Sequence, residues 1–460
     1  MPANKTQTVP FLISLLRLFK FVDNPIPVVL DAIENYGKTY YTRMIGGRKI
    51  IMTIDPLLIQ YVLQKNNKNY YKSKLQTDSL GRYVGEGLLT SNGAYWLNQR
   101  RLIQPGFNRS KLDGLVRIMD SEIQSYIGEL SSSISDNNHA PFECDVAEEM
   151  MELTLRIVSK SLFSTGIDRG QIKELGLIFT ALQEDIVKEV RQPVFNWWRA
   201  ISGKRRRTMR LAEETKRLMK EIITARRKSG VQQDDLLDML IHSRYQDTGE
   251  TMNDEQILDE SLIMFVAGHE TTAVSLAWTL YLLNQHPDVL NKLISELQSV
   301  NEISLESLAS MTYTDQVLSE SLRLYPPAWI IDRMALEDDH FEGVDINKGD
   351  MVGLFIYGSH HDPDIWEKAE EFNPDRFDNE RTGDIPSYAY YPFGGGPRLC
   401  IGKHFALMEM KLVLYHLLRN FSFETLPDPP VEVYPLITVR PRNGIGMKLS
   451  FRESEMISSS

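Results

Sequence analysis

The sequence predicts a mainly α-helical fold with small β-sheets, built around one long buried helix. Between residues 56 and 285, apolar side chains recur at three- and four-residue spacing, which is the period of amphipathic helices. Asn253 or Asp254 can cap a segment that should stop near Pro287, because a proline disfavours helix in the residue before it. This segment of about 32 residues would be roughly 50 Å long. Its middle is apolar on all sides, which is typical of a buried helix.

The beginning of the chain predicts a short helix followed by a β-hairpin. The apolar run 11–16 is far shorter than the ~20 residues that span a bilayer, and it lacks the small-residue cleavage site of a secretory signal. We therefore expect an amphipathic first helix, no membrane span and a soluble protein. Residues 39–45 and 49–54 have the pattern of strands, with Gly46-Gly47 turning the hairpin between them.

The end of the chain predicts a helix followed by a second hairpin. A stretch rich in proline and glycine precedes a helix from about Gly402 to Leu418. Residues 436–439 and 445–451 flank Asn443-Gly444, a dipeptide that favours tight turns, so we expect these two segments to pair. The expected architecture has helices in the middle of the chain and small sheets at the edges.

Composition limits the class of protein. No linker, low-complexity tract or internal repeat divides the 460 residues, so we expect one domain over residues 1–460. A formal net charge of -11 argues against nucleic-acid binding, because contacts with phosphates need a basic surface. The two cysteines, Cys144 and Cys400, form no disulfide framework and favour a reducing cytoplasm. Nothing around Cys144 indicates chemistry, and we interpret it as an inert buried thiol.

The segment from Phe393 to Gly402, FGGGPRLCIG, carries the strongest chemical signal. Glycines let the backbone approach a flat ligand closely. A cysteine just before a helix lies where backbone amides and the helix dipole favour a thiolate, and an arginine two residues earlier can pair with an anionic group on the same ligand. These are the requirements of a cysteine ligand to haem iron. The alternative, an incidental buried cysteine in a glycine-rich loop, does not explain the combination.

The same segment resembles a known family. The haem-binding signature of the cytochrome P450 family is matched by Phe393, Gly396, Arg398, Cys400 and Gly402. The resemblance implies the family's fold, a triangular helical prism with a long central helix over haem. It also implies haem b with the Cys400 thiolate as the axial ligand of its iron, and further haem contacts from Phe393, Gly394, Arg398 and Gly402.

A second set of residues resembles a structural motif of the family. Glu320 and Arg323, in the string ESLR, match its helix K motif, and their i, i+3 spacing places them on one helix face. Arg376, in NPDRF, resembles the arginine that joins this pair. The resemblance therefore implies a buried structural network of Glu320, Arg323 and Arg376. Such pairs taken alone are usually solvated helix faces, and the order of the motifs is what favours the network.

Three more residues resemble the family's contacts to the haem propionates. Trp96 and Arg100, in WLNQR, match the C-helix pattern, and their i, i+4 spacing places both on one face. Arg333, after the helix K turn, is a further propionate candidate by the family's pattern. An ordinary surface arginine is the alternative interpretation of Arg333.

The string AGHETT, residues 267–272, lies in the middle of the long helix. A glycine inside a helix costs ~1 kcal/mol relative to alanine, a buried glutamate is costly without a partner, and threonines can bond back to carbonyls one turn earlier. Together they predict a local opening suited to proton delivery; a kinked helix with a satisfied glutamate is the alternative. The string resembles the family's oxygen-activation motif, which implies Thr271 as the hydrogen-bond partner of dioxygen, Glu270 as proton relay and Ala267 as a haem contact.

The resemblance implies a monooxygenase that inserts one oxygen atom from O2 into a small organic substrate, by hydroxylation or oxidative O-demethylation. No flavin or iron–sulfur domain is expected in the chain. Electrons are therefore expected from a separate ferredoxin (or flavodoxin) and its NAD(P)H reductase, and we expect a monomer. A peroxygenase, a dehydratase and a non-catalytic haem protein are alternatives, and the acid–alcohol pair in AGHETT argues against all three.

The substrate stays open at this stage. A fatty acid or other lipid is one interpretation, and a small methoxy compound, such as an aromatic ether or a methylated sugar, is the other. Fold-level analogy does not separate them. The residues expected to line an apolar pocket, which core packing would equally predict, are Phe265, Ala328, Trp329 and Ile330.

Overall fold

One long helix forms the centre of the fold. It spans Asp254–Gln285, 32 residues, and most of its side chains are buried. Asn253 Oδ1 accepts a hydrogen bond from the Gln256 N–H at 2.9 Å, and Gln256 Oε1 accepts one from the Asn253 N–H at 3.0 Å. This reciprocal capping box fixes the N-terminus, and Pro287 ends the helix by disfavouring helical backbone in His286. The predicted start and end of the helix are confirmed.

Shorter helices surround the long helix in this computed structural model. The structure describes residues 6–43, 49–136, 140–164, 169–191, 201–245, 247–378, 382–427 and 429–452. The long helix packs most extensively against Val146–Phe163 and also contacts Lys204–Ser229 and Thr312–Leu324. The other α-helices of the described residues are Phe11–Leu16, Leu18–Asp23, Pro25–Tyr36, Pro56–Gln60, Gly81–Val84, Gly93–Ile103, Arg109–Asp136, Arg169–Arg191, Leu236–His242, Pro287–Ser299, Leu305–Ser310, Ile356–His360 and Lys403–Asn420. Short 3-10 or π turns occupy Tyr61–Lys65, Asn67–Asn69, Leu75–Leu80, Gln104–Phe107, Pro374–Phe377, Thr382–Asp384 and Gly396–Arg398.

The largest sheet joins strands from residues 7–71 to two strands from residues 331–354. The predicted first hairpin is confirmed, since Thr39–Arg43 pairs antiparallel with Lys49–Thr53; its turn, with Gly46 and Gly47, lies outside the described residues. Lys49–Thr53 also pairs in parallel with Met351–Leu354. The strand order of this sheet is Gln7–Thr8, Thr39–Arg43, Lys49–Thr53, Met351–Leu354, Ile331–Ala335 and Tyr70–Tyr71. The mainly α-helical class with small sheets is therefore confirmed.

The predicted second hairpin is wrong. Asn443-Gly444 does form a turn, with Gly444 at φ +73°, but this turn joins strands of two different sheets. Asp145 Oδ1 accepts a hydrogen bond from the Ile445 N–H at 2.9 Å and draws the following strand toward another part of the chain. The remaining antiparallel pairs are Val433–Pro435 with Val439–Pro441, Asp339–Phe341 with Val344–Ile346, and Gly446–Phe451 with both Phe421–Thr425 and Phe142–Asp145.

The beginning of the chain differs from the expected amphipathic helix, because its apolar side chains are not packed against the protein. Two short helices, Phe11–Leu16 and Leu18–Asp23, replace one amphipathic helix, and neither has a buried residue. Their apolar stripe is exposed, and Arg17 between them pairs with Asp31 of the helix Pro25–Tyr36. None of the helices in the described part of the chain is long and apolar enough to cross a membrane. The exposed stripe consists of Phe11, Leu12, Leu15, Leu16, Phe19 and Phe21.

Candidate active site

Cys400 lies in the loop that leads into the helix Lys403–Asn420. Its backbone N–H donates to the Phe393 carbonyl at 3.0 Å, which closes the loop. Burial raises the pKa of the Cys400 thiol, whereas hydrogen bonds from the amides of Gly402 and Lys403 and the charge of Arg100 lower it. The beginning of this helix therefore offers the thiolate the amide donors that the sequence predicts.

The Cys400 side chain faces an internal opening. It is exposed although burial among protein atoms raises the pKa of its thiol. Ala267 is likewise exposed, in the middle of the long helix, whereas Phe265 nearby is fully buried. A Cβ placed on Gly394 or Gly402 would meet no atom within 4 Å. These observations fit a flat ligand between the cysteine loop and the long helix.

The two middle glycines of the cysteine loop are required for close packing of the loop, and not for the approach of a flat ligand as expected. Gly396 has φ +62°, and a Cβ there would lie 2.0 Å from the Leu63 carbonyl oxygen. A Cβ on Gly395 would lie 2.3 Å from the Tyr388 ring. These two glycines therefore serve close packing of the loop on its neighbours, while Gly394 borders open space.

Arg398 belongs to a group of cations near the cysteine loop. Its guanidinium lies 3.6 Å from the centroid of the Trp96 ring, and its Nη1 and Nη2 donate to Ser91 O and Asn92 Oδ1 at 3.0 and 3.1 Å. Burial and the nearby charge of Arg333 lower the pKa of Arg398 to about 9. Burial disfavours the charged form of an arginine unless an anion pairs with it.

Arg333 and Lys72 complete this cation group. Arg333 is buried, donates to Asp332 O at 2.7 Å, and has its pKa lowered by burial. Lys72 has a pKa well below its ordinary value because of burial and then the charges of Arg398 and Arg333. Sequence reasoning missed Lys72, since a lysine in a loop has no pattern that distinguishes it from a solvated one. We call Lys72, Arg333 and Arg398 the cation cluster.

The Arg100 side chain supports the cysteine loop by a hydrogen bond to the backbone of the loop. Its Nη1 donates to Leu399 O at 2.9 Å and its Nε to Gln104 Oε1 at 3.2 Å. Trp96 is buried beneath the Arg398 guanidinium. Trp96 and Arg100 thus lie at the predicted site. Arg100 donates to the loop carbonyl of Leu399, and its charge also contributes to lowering the pKa of Arg398.

The assembled residues fit haem b. A thiolate is the axial ligand that favours O–O bond cleavage, and Cys400 faces the opening. The two carboxylates of haem would supply the negative charge that the cation cluster lacks. The fit rests on this chain's own donor set: one accessible sulfur just before a helix, and three cations with lowered pKa values, of which Lys72 and Arg333 are buried and Arg398 is half-buried.

The threonines of the oxygen-activation string bond back along the long helix, as predicted. Thr271 Oγ1 donates to Ala267 O at 2.7 Å, and Thr272 Oγ1 donates to Gly268 O at 3.0 Å. The helix nevertheless continues without a break through this segment. Gly268 has a packing reason instead, because a Cβ there would lie 2.9 Å from Val158 Cγ2. The predicted local opening of the helix is therefore wrong; the opening lies beside Ala267.

Glu270 is buried and satisfied. Its Oε1 accepts hydrogen bonds from Thr438 Oγ1 at 2.5 Å and from Arg440 Nε at 2.7 Å. His269, to which the sequence assigned no role, contacts Phe265 O at 3.0 Å through Nδ1, and burial lowers its pKa. The two partners of Glu270 lie 168 and 170 positions away in the sequence, so no local pattern could identify them. The roles of Glu270 and Thr271 in proton delivery stay predictions.

Glu320, Arg323 and Arg376 lie together as one buried network. Arg323 Nε and Nη2 donate to the two carboxylate oxygens of Glu320 at 2.7 and 2.8 Å, and Arg376 Nε donates to Glu320 Oε1 at 3.2 Å. Arg323 Nη1 also donates to His360 O at 2.8 Å and to Ala369 O at 2.7 Å. The network joins the helix Thr312–Leu324 to the segment leading toward the cysteine loop.

The four residues predicted to line the pocket divide into two pairs. Phe265 is 0% exposed and Trp329 is 8% exposed; Trp329 Nε1 donates to Leu436 O at 3.1 Å. Core packing, the alternative given above, describes these two. Ala328 and Ile330 are partly exposed and remain available to a ligand.

Comparisons with known proteins extend over almost the whole chain. The family model described as Cytochrome P450 matches residues 2–448. A cytokinin hydroxylase of Arabidopsis thaliana is 33% identical over 444 residues, covering 93% of this chain and 84% of that protein. A cyclooctat-9-en-7-ol 5-monooxygenase of Streptomyces melanosporofaciens is 28% identical, with 86% and 85% covered. The solved structure of retinoic-acid-bound cyanobacterial CYP120A1 matches with a TM-score of 0.82 and 26% identity, covering 95% of this chain and 96% of that one.

Proposed function

Because the chain belongs to the cytochrome P450 family, we propose that this haem-dependent monooxygenase hydroxylates a large, mainly apolar organic molecule. One observation gives the main support for the haem-dependent part of this proposal. Cys400, at the beginning of the helix Lys403–Asn420, presents an exposed sulfur inside the protein, with backbone amides donating to it. A thiolate there has the donors and the access that an axial haem ligand requires.

The chain's own residues divide the work of the reaction. Haem supplies the binding and activation of O2 at its iron. Cys400 would hold the iron, and the cation cluster would bind the haem carboxylates and fix its orientation. Thr271 is partly exposed beside Ala267, where its hydroxyl can hold a proton next to a ligand in the opening.

Proton supply through Glu270 requires a change of partner. The buried carboxylate is bound by Thr438 and Arg440. Glu270 can therefore turn toward a ligand in the opening only when its contact with Arg440 loosens. The strand Val439–Pro441 that carries Arg440 is the element whose movement would do this.

Names of related proteins and the pocket residues support the substrate class. One relative is named for a cytokinin and another for cyclooctat-9-en-7-ol, and a similar structure holds retinoic acid. Ala328 and Ile330 offer partly exposed apolar surface. Hydroxylation of a lipid-like molecule therefore has more support than O-demethylation of a small methoxy compound, which is an outcome that the experiment below would reveal.

The electron donor and the location belong to the proposal as well. We propose a separate ferredoxin, or a flavodoxin, with its NAD(P)H reductase, and a cytoplasmic monomer. The scarcity of cysteine supports a reducing compartment. The exposed apolar stripe at Phe11–Phe21 favours contact with a membrane surface as the alternative. Fractionation of cells into supernatant and membranes separates the two.

Two spectroscopic measurements test the proposal. The reduced, CO-treated protein should show the red-shifted Soret band of a thiolate-ligated haem, and Cys400→Ser should abolish this band. Cys144→Ser is the matched control and should keep the band.

The ferric protein is then titrated with terpene alcohols, retinoids, fatty acids, aromatic ethers and methylated sugars. A shift from low to high spin with the first three classes supports the proposed substrate. A shift only with ethers or sugars overturns that part, and a band that survives in Cys400→Ser overturns the ligand assignment.

A further inference from the structure

The 85–92 loop is held against the long helix by two carboxylates. Asp259 Oδ2 accepts a hydrogen bond from the Glu86 N–H at 2.8 Å. Glu260 accepts the Leu88 N–H with both carboxylate oxygens, at 3.1 and 3.2 Å. Both acids belong to the long helix, so the loop backbone is fastened directly to the helix that borders the candidate active site.

The loop approaches these carboxylates very closely. A Cβ at Gly85 would lie 1.9 Å from Asp259 Oδ1, and a Cβ at Gly87 would lie 2.7 Å from the carboxyl carbon of Glu260. Glu260 is 0% exposed and Asp259 is 9% exposed. Only glycine at these two positions leaves room for the acids, so the loop encloses them with its backbone.

The same loop is fastened to the cation cluster on its other side. Lys72 Nζ donates to Leu88 O at 2.6 Å and to Leu89 O at 2.7 Å. Arg398 Nη1 donates to Ser91 O at 3.0 Å. The loop therefore bridges the acids of the long helix and the cations expected to hold haem.

We infer that Asp259 and Glu260 form a clasp that positions the 85–92 loop beside the haem pocket, and that the charge on Glu260 sets how readily the loop opens to admit a ligand. The inference rests on the proposed function, because the ligand it concerns is the substrate of that pocket. Asp259 and Glu260 are positioning residues, since they contact the loop backbone and not the reacting atoms.

The ionised form of Glu260 favours the open loop. Burial raises the pKa of Glu260 from 4.5 to about 7, with Leu88 N–H and Lys72 opposing the shift and Asp259 adding to it. In an open loop the carboxyl regains water and its pKa returns toward the ordinary value, so the closed loop binds the proton more tightly. Opening therefore becomes easier as the pH rises from about 5 to about 8. The titratable groups facing Glu260 are Asp259, Lys72, Tyr95 and Tyr245.

Glu260→Gln separates the charge from the hydrogen bond. The amide oxygen can still accept the Leu88 N–H, but it carries no charge to bury. At pH 8, hydrogen exchange of the loop amides, corrected for intrinsic rates, should be at least about fivefold slower in this variant than in the wild type. At pH 5.5 the two should agree, and loop exchange should change more between the two pH values in the wild type than in the variant.

Ligand entry provides the second readout. On the haem-loaded protein, association of 4-phenylimidazole followed at the Soret band should be several-fold slower in Glu260→Gln at pH 8 and similar at pH 5.5. A purely structural role of Glu260 would not produce this pH dependence. If the protein binds no haem, the proposed function fails while hydrogen exchange still tests the clasp.

Two further variants complete the experiment. Glu296 accepts the Tyr313 and Thr314 N–H groups at 2.7 and 2.8 Å elsewhere in the fold, so Glu296→Gln is the matched control and should leave loop exchange unchanged. Gly87→Ala should speed loop exchange at both pH values by pressing on Glu260. Equal pH dependence in the wild type and Glu260→Gln, or faster loop exchange in Glu260→Gln at pH 8, would overturn the inference.

Discussion

Thr271 and Glu270 are adjacent in sequence, but their side chains serve different parts of the molecule. Thr271 Oγ1 remains on the long helix, bonded to Ala267 O at 2.7 Å. Glu270 is bound instead to Arg440, Nη2 to Oε1 at 2.6 Å. The acid and the alcohol therefore do not have the same access to the opening, and only Thr271 is partly exposed there.

The structure leads to a specific prediction for Thr271. Thr271→Ala should leave haem bound and the fold intact, because the lost hydroxyl bonds only a helix carbonyl that already has helical partners. It should raise the share of NAD(P)H electrons that leave as hydrogen peroxide several-fold, since the proton-holding group beside the ligand is gone. Product and peroxide are measured per NAD(P)H consumed.

Thr272→Ala is the control for that measurement. Thr272 makes the same kind of bond, to Gly268 O at 3.0 Å, but is buried away from the opening. It should keep wild-type coupling. Unchanged coupling in Thr271→Ala, or equal loss in both variants, would remove Thr271 from proton delivery.

At the scale of elements, the long helix and Val146–Phe163 form the most extensive helix–helix contact among the described residues. Gly268 makes this approach possible, because even one methyl there would come within 2.9 Å of Val158 Cγ2. A helix-interior glycine normally costs ~1 kcal/mol relative to alanine. The cost at Gly268 is offset by packing that a side chain would exclude.

A double-mutant cycle tests this helix contact. Gly268→Ala should destabilise the protein by about 1–3 kcal/mol through overpacking, despite its better helix propensity. Val158→Ala alone should also destabilise, by leaving a cavity. The double variant should be more stable than the sum of the two by about 1 kcal/mol, measured as the free energy of unfolding in denaturant. Additive effects on the free energy of unfolding would show that the contact with Val158 is not the reason for a glycine at residue 268.

At the scale of the whole molecule, the cation cluster gathers charges from three distant segments. Burial lowers the pKa of all three cations, and the positive charges of neighbouring residues lower the pKa of Lys72 and Arg398 further. Folding without a dianionic ligand therefore retains an electrostatic cost. Haem binding should contribute to stability through its carboxylates and not only through the iron–sulfur bond.

Haem and its dimethyl ester distinguish these contributions. The ester should bind the wild-type protein at least tenfold more weakly, about 1.4 kcal/mol, because it brings no negative charge to the cluster. In Lys72→Met the difference in affinity between haem and its dimethyl ester should become smaller. Lys49→Met, which removes a lysine paired with Asp350 at 2.8 Å, is the control and should keep it. Binding is measured by the shift of the thermal unfolding midpoint; equal shifts with haem and its ester would contradict the assignment.

What could be predicted from the sequence was local. The long helix was predicted with its cap and its end, because capping at Asn253 and termination before Pro287 depend on neighbouring residues. The first hairpin and the position of Cys400 before a helix are local in the same way. The resemblance to the family likewise rests on short strings of neighbouring residues, such as FGGGPRLCIG at residues 393–402.

What only the tertiary structure decided involves residues far apart in the chain. Four features depend on which surfaces meet in the folded chain. They are the partner of the last strand, the Arg440 contact of Glu270, the burial of Phe265 and the proximity of Lys72 to Arg333. Periodicity fixes which face of an element is apolar, but not which other face will cover it. The sequence by itself therefore determined the long helix and the position of Cys400 before a helix, while long-range packing decided the charges and contacts around them.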